Sequence, residues 1–287
     1  MKKKTVLFVL LIAVLALAAC GTADTPAEPV EVEEADVVEE GALPDLEGRE
    51  IRIAIENAYL PFSYIEIGTT EPVGLDYDIW NEVCVRLNCT PVYVETAWEG
   101  MIQAVADGQF DVGADGISIT EDRAEIVDFS LPIISVEQRL LVRLGEDRFT
   151  SMDEFVANED LVIGAQTGTS NYITAVAFVP EERVMAFEQW AFAVQALVAG
   201  DVDAVLGDET AGQGYMGQNA DEVELIGDVL ESQGIGYIYP LGSDLVEPVN
   251  LALQAMFEDG TLETLSQTYF GPDFDVTWDD IVFPEYE

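Results

Sequence analysis

The chain has 287 residues, with 56 acidic side chains against 11 basic ones, no histidine, and a formal charge of −45. A chain this negative repels phosphate backbones, which argues against nucleic-acid partners. Without histidine it lacks the usual general base and a common zinc ligand. No lysine follows Lys4, so the remaining cations are eight arginines. Excess acid with arginine in place of lysine resembles adaptation to salt, and predicts loss of the fold at low ionic strength.

Lys2, Lys3 and Lys4 precede an apolar run from Val6 to Leu17. The run is too short for a stable membrane anchor and reads as a secretory signal over residues 1–19. Leu17-Ala18-Ala19-Cys20 resembles a bacterial lipoprotein box, with cleavage before Cys20 and lipid on its sulfur. The alternative is an ordinary signal with a cysteine near its cut site. The first reading places the body outside the cytoplasm, lipid-anchored to the cell membrane at the cell surface or in the periplasm. The tract 20–45 is rich in acids and proline and has no aromatic or basic residue. It cannot bury a core and is expected to be a disordered stalk.

From Arg49 onward strands and helices alternate. The first part reads as strand Ile51 to Ile55, helix Asp76 to Leu87, strand Pro91 to Val94, helix Gly100 to Ala106 and strand Phe110 to Ala114. After a strand at Leu140 to Val142 come helix Met152 to Ala157, strand Leu161 to Ala165 and helix Ser170 to Ala177. Strand Val184 to Phe187, helix Trp190 to Ala199 and strand Val202 to Leu206 complete the series. Such alternation predicts an α/β fold with largely parallel sheets, and the length suits two lobes. An internal echo supports two: Ile102 to Val112 resembles Val194 to Ala204, each a helix, a glycine stop and a strand carrying aspartate. The two strands lead to Asp115 and Asp208. Loops at the carboxyl ends of strands are where open α/β sheets bind ligands.

Cys84 lies near a helix end, Asn88 suits the left-handed position that stops a helix, and Cys89 would open the next strand. This brings Cys84 and Cys89 within disulfide reach in an oxidising compartment, with two reduced buried thiols as the alternative. Thr120 is placed to cap a short helix in which Arg123 is the third residue. A cation there opposes the helix dipole, so something negative is expected in front of it. That is either one of the many acids or a ligand carboxylate held by the planar guanidinium.

Four signatures in order carry a family resemblance. They are Tyr59-Leu60-Pro61-Phe62-Ser63-Tyr64 with Val73-Gly74-Leu75-Asp76-Tyr77-Asp78, and Trp98-Glu99-Gly100-Met101-Ile102. Next come Gly116 to Arg123 with Val127-Asp128-Phe129-Ser130, and then Gly164 to Ser170 continuing to Val202 through Asp208. Together they resemble the bacterial extracellular solute-binding proteins of the polar amino-acid type, family 3, over about residues 46–272. The resemblance implies a two-lobed periplasmic-binding-protein fold of type II, with lobe 1 at 46–138 and 236–287, lobe 2 at 139–235, and two crossing hinge strands. It implies a monomer that captures a free amino acid, delivers it to an ABC permease, and needs no cofactor.

By the same resemblance, Arg123 takes the ligand α-carboxylate, together with Thr169 and Ser170, which open a helix suited to anions. Asp208 neutralises the α-ammonium, with Gly116 and Ser118 as its partners. Tyr59 and Trp98 sandwich the side chain, and Gln166 joins the ligand-binding set. Asp115 and Glu56 depart from the common pattern. They either hold the cation of a basic side chain or are solvated, so the ligand is expected to be a polar or basic amino acid. The rival class is a secreted, dehydratase-like enzyme on this scaffold, using paired carboxylates such as Glu56 and Asp115. A calcium-binding module built from Asp273, Asp275, Asp279 and Asp280 lacks the glycine and terminal glutamate of an EF-hand loop.

Overall fold

The structure, a computed structural model, describes residues 42–66, 68–218 and 222–270. The signal 1–19, the lipidation site Cys20, most of the stalk and the acids from Asp273 onward lie outside the described residues.

In chain order the strands and helices open with β1 (Arg49–Ile55), β2 (Ala58–Tyr59), β3 (Ser63–Ile65), β4 (Pro72–Val73), α1 (Leu75–Leu87), β5 (Cys89–Glu95), α2 (Met101–Ala106), β6 (Val112–Gly113), α3 (Glu121–Ala124) and β7 (Val127–Phe129). They continue with β8 (Ile134–Arg143), α4 (Met152–Ala157), β9 (Ile163–Gln166), α5 (Ser170–Phe178), β10 (Val184–Phe187), α6 (Trp190–Ala199) and β11 (Ala204–Asp208). The series ends with α7 (Glu209–Gln218), β12 (Val223–Ile235), β13 (Ile238–Pro240), α8 (Val246–Glu258) and α9 (Thr261–Tyr269).

Two five-stranded sheets form the two lobes, in the orders β5-β1-β6-β13-β7 and β10-β9-β11-β8-β12. In the first, β1 pairs parallel with β5 and β6, while β13 runs antiparallel to β6 and β7. In the second, β9 pairs parallel with β10 and β11, and β8 runs antiparallel to β11 and β12. The expectation of largely parallel sheets therefore holds for only one side of each. The chain enters the second sheet along β8 and returns along β12. These two strands pair antiparallel from Arg143↔Val223 to Ile134↔Ile235, with an irregularity between Ile226 and Glu231.

Local sequence explains most elements. In α1, Leu75, Ile79, Trp80, Val83 and Leu87 recur at helical spacing and are fully buried. Asn88 stops the helix with φ 50°, and Cys84 and Cys89 are joined by a disulfide with Cα atoms 4.4 Å apart. The body begins earlier than the expected stalk boundary: Leu43 packs against the core, and Asp45 accepts hydrogen bonds from Glu47 N and Asn88 Nδ2 at 2.7 Å each.

The internal echo has a structural counterpart. Asp111 after α2 accepts the Arg52 N–H at 2.8 Å and returns its own N–H to the Arg52 carbonyl at 3.0 Å. Asp203 after α6 does the same to Val162, at 2.9 and 2.7 Å. In each lobe an aspartate thus clips its strand to the preceding parallel strand and fixes the run into the loop that ends in Asp115 or Asp208.

Candidate functional site

The carboxyl ends of the parallel strands in both sheets meet at a cleft of about 430 Å³, its mouth included. It is lined by Glu56, Tyr59, Trp98, Asp115, Gly116, Ser118 and Arg123 from the first lobe. Gln166, Thr169, Ser170, Asn171, Trp190 and Asp208 line it from the second. All eleven ligand-binding candidates from the sequence are brought together here. Two lining residues, Asn171 and Trp190, are not among them.

Thr120 caps α3 by accepting the Arg123 N–H, which sets Arg123 at the third helical position. Its guanidinium donates to the Ser118 carbonyl at 2.8 Å and to the Gly168 carbonyl of the other lobe at 3.3 Å. It also lies 5.3 Å from the Trp98 ring centroid, within cation–π range. Burial lowers its pKa to about 10, opposed by the charge of Asp208. Five arginines have an acid within 4.0 Å, namely Arg49, Arg86, Arg139, Arg143 and Arg148. Among the described residues Arg123 has none, so no carboxylate pairs with it directly and Asp208 acts on it only from beyond that distance.

Beside Arg123 stands the first turn of α5. The Thr169 hydroxyl donates to the Gln166 carbonyl at 2.7 Å and accepts the Tyr172 N–H at 3.1 Å, so it is engaged as the helix cap. The first-turn N–H groups of a helix lack helical partners and favour an anion. Ser170 Oγ lies 3.2 Å from Ser118 Oγ across the lobes and accepts from the buried Gln138 Nε2 at 3.1 Å.

The opposite character gathers at the strand ends. Asp208 closes β11, 3 % exposed, and accepts from the Tyr59 hydroxyl and, at 3.2 Å, from Asn171 Nδ2. Burial raises its pKa, against those hydrogen bonds and the charge of Arg123. Asp115 and Glu56 are buried as well. The Glu56 N–H and the Ser63 hydroxyl donate to Asp115, while Glu56 accepts from Trp98 N at 3.4 Å and Gln166 Nε2 at 3.5 Å. Desolvation raises both carboxyls, that of Asp115 strongly. The reading of these two acids as solvated is therefore set aside. The cleft holds one guanidinium and three carboxyl groups, giving it an anion-attracting end and a cation-attracting end.

Gly116 needs to be glycine: its φ is +59°, and a Cβ would sit 2.7 Å from the Tyr59 ring. Its N–H is held by the fully buried Asp76, at 3.1 Å from Oδ2. The two residues that sequence reasoning misses carry only faint signals. Asn171 extends the polar Thr169-Ser170 opening of an apolar helix. Trp190 depends on Gly207, where a Cβ would stand 1.9 Å from the indole, and a glycine within an apolar strand marks such close approach. Among the described residues no cluster of three or more aspartates, glutamates or cysteines is placed to hold a metal. None of their helices is long and apolar enough to cross a membrane.

The sequence profile of the bacterial extracellular solute-binding proteins, family 3, matches residues 51–272. The L-cystine-binding protein TcyA of Bacillus subtilis (strain 168) is 29% identical over 279 residues, covering 95% of this chain and 99% of that protein. The structure of an ancestral arginine-binding protein bound to glutamine superposes with a TM-score of 0.72 at 28% identity, covering 77% of this chain and 98% of that one. An ancestral amino acid-binding protein described as a precursor of cyclohexadienyl dehydratase superposes with a TM-score of 0.71 at 29% identity. That match covers 77% of this chain and 95% of the other.

Proposed function

The chain belongs to the bacterial extracellular solute-binding proteins, family 3, and from that premise we propose that it is the receptor of an ABC importer, capturing a polar or basic L-amino acid between its lobes. One observation carries this reading most strongly. Arg123, alone among the cleft-lining residues in being a cation, has no acidic partner within 4.0 Å among the described residues, although the chain holds 56 acids. A guanidinium kept from protein carboxylates is matched to a ligand carboxylate, for which its fork offers two parallel hydrogen bonds.

In this reading Ser170 and the first-turn N–H groups of α5 complete the carboxylate site from the second lobe. Asp208 takes the α-ammonium, with Gly116 and Ser118 beside it. Tyr59 and Trp98 flank the ligand side chain, whose far end meets Glu56, Asp115 and Gln166. Because the carboxylate contacts come from both lobes, they are complete only when the lobes meet. The ligand therefore shifts the population toward closure, and the permease recognises the closed form. Lipid on Cys20 and an acidic tether would hold the receptor, a monomer, at the outer face of a membrane.

A second reading has one observation in its favour. A structural neighbour is described as the precursor of a dehydratase, and Glu56 and Asp115 form a pair of buried carboxyls in the cleft. The receptor reading is preferred because Arg123 and Asp208 find a place in zwitterion binding, and Glu56 and Asp115 at the end of the ligand side chain.

Calorimetric titration of the purified protein, freed of copurified ligand, against the twenty L-amino acids tests the proposal. One-to-one heat from one or a few, lost in Arg123→Ala, is the expected result. Silence across the whole panel would overturn it.

A further inference from the structure

Asp115 is 3 % exposed, and among the described residues no arginine lies within 4.0 Å of its carboxyl. The Ser63 hydroxyl and the Glu56 N–H both donate to one oxygen, Oδ1. The ionisable groups turned toward it are Glu56 from the loop after β1, Asp76 and Tyr77 from α1, and Tyr59 from β2. All are acids or phenols. The charge of Arg123 is felt at Asp208 on the other lobe. Two hydrogen bonds to a single oxygen do not offset the loss of water around a carboxylate flanked by two further acids. Burial and those neighbours push the carboxyl well above its ordinary range. Glu56 is better compensated, with the Trp98 N–H and the Gln166 amide directed at its two oxygens.

We propose that Asp115 is a specificity-determining residue that meets the ligand as a neutral carboxylic acid. A ligand side-chain cation binds there only as the Oδ2 proton leaves to solvent, whereas a neutral amide side chain is bound by donation from the intact acid. The O–H bond is the only one broken, and buffer accepts the proton. The inference rests on the site being an amino-acid receptor. It adds that pH sets the receptor's preference between cationic and neutral side chains. In the free protein Asp115 holds its proton; a bound cation removes it. Cation affinity therefore rises with pH until the free carboxyl ionises, and amide affinity falls as pH passes through that ionisation.

The probes are L-arginine and L-glutamine, titrated calorimetrically into the protein from about pH 5 to about pH 8, in buffers of differing ionisation heat. Side-chain carbon NMR of the aspartates, assigned with Asp115→Asn, follows the carboxyl directly without ligand. Expected is an Asp115 that titrates well above an ordinary aspartate, and proton release with L-arginine. The L-arginine affinity should gain about tenfold per pH unit while the free acid is neutral, whereas the L-glutamine affinity should stay level there and fall only as the free acid ionises. Asp115→Asn should abolish both trends in whatever affinity it retains, and Glu56→Gln should still show them. Binding of L-arginine with no pH trend, a trend that survives Asp115→Asn, or an Asp115 that ionises by about pH 4 like an ordinary aspartate would each overturn the inference while leaving the receptor reading intact. No heat from any amino acid would overturn the receptor reading, and with it this role for Asp115, whatever the carboxyl's protonation.

Discussion

Tyr59 in the first lobe donates its phenolic hydrogen to Asp208 in the second, so the same carboxylate that faces the cleft also holds the lobes together. Tyr59 is fixed for this by stacking on Phe62, with centroids 5.5 Å apart and planes at 11°. Tyr59→Phe keeps the stack and removes the donor. A hydrogen bond to a charged group contributes roughly 1.5–3 kcal/mol, and Asn171 still satisfies part of Asp208. The variant is expected to open more readily, seen as a larger radius of gyration by small-angle scattering, with amino-acid affinity reduced about tenfold or less. Asp208→Asn, which removes the carboxylate itself, should cost more. An unchanged scattering profile in Tyr59→Phe would show that the lobes are held by other contacts.

Arg123→Ala separates the ligand role from a structural one. Among the described residues the guanidinium makes two hydrogen bonds, both to backbone carbonyls. The expected loss of affinity is at least about 2–4 kcal/mol, because the ligand carboxylate would be left without its charged partner. Arg123→Lys should recover part of it, since an ammonium supplies charge without the bidentate fork. Loss below tenfold in Arg123→Ala would sink the assignment.

Much of this architecture is legible in the amino-acid sequence, and the reasons are local. Arg123 stands out because a cation in a first helical turn contradicts the helix dipole, and the Thr120 cap confirms that position. Helices α4 and α6 and strand β10 have the bounds that their apolar patterns predict. What stays hidden depends on partners distant in sequence. Strand β12 is interrupted by Gly227, Asp228, Glu231 and Gly234, and gains its identity from pairing with β8. Helix α7 carries glycines that lower its propensity, yet a Cβ at Gly212 would stand 2.9 Å from Leu225, and one at Gly214 2.3 Å from Leu60. The antiparallel half of each sheet has the same origin, since it is made by β8, β12 and β13, the strands of the crossing and return.

Gly207 is the position where packing and site meet. An alanine there would drive its methyl into the Trp190 indole, 1.9 Å from Cη2. Overpacking of this kind costs typically about 1–3 kcal/mol. Gly207→Ala should lower stability by that order in urea unfolding and weaken ligand binding, because Trp190 lines the cleft. The tryptophan emission of the folded variant should shift. Full stability with unchanged affinity would mean that the indole relaxes freely, against its 2 % exposure.

The Cys84–Cys89 bond closes a small ring, at a sequence separation of 5, beside the end of α1. Loop-entropy arguments give it about 2 kcal/mol. Replacing both cysteines with serine should cost about that much, together with the burial of Cys84, and leave amino-acid affinity unchanged, because neither residue lines the cleft. Denaturant unfolding and calorimetry on the same preparation read the two quantities separately. A parallel loss of affinity would show that α1 transmits strain to the site.

Asp76 gives the fold a pH dependence of unusual sign. It is fully buried, and desolvation raises its pKa from 3.8 to about 7, against the hydrogen bond from Gly116 N–H. The folded chain thus binds this proton more tightly than the unfolded chain. The contribution is complete below about pH 4 and is lost as pH rises through about 7. It amounts to at most on the order of 4 kcal/mol. Asp115, Asp208 and Glu56 shift in the same direction through burial, so stability should climb as the medium is acidified from neutrality. Asp76→Asn keeps a carbonyl acceptor for Gly116 but removes the charge. In urea unfolding at a series of pH values, its stability should fall less steeply between about pH 4 and about pH 7 than the parent's, and it should match or exceed the parent at about pH 8. Identical slopes in the two proteins would mean that Asp76 stays ionised in the folded chain, with its charge balanced by groups other than the Gly116 amide.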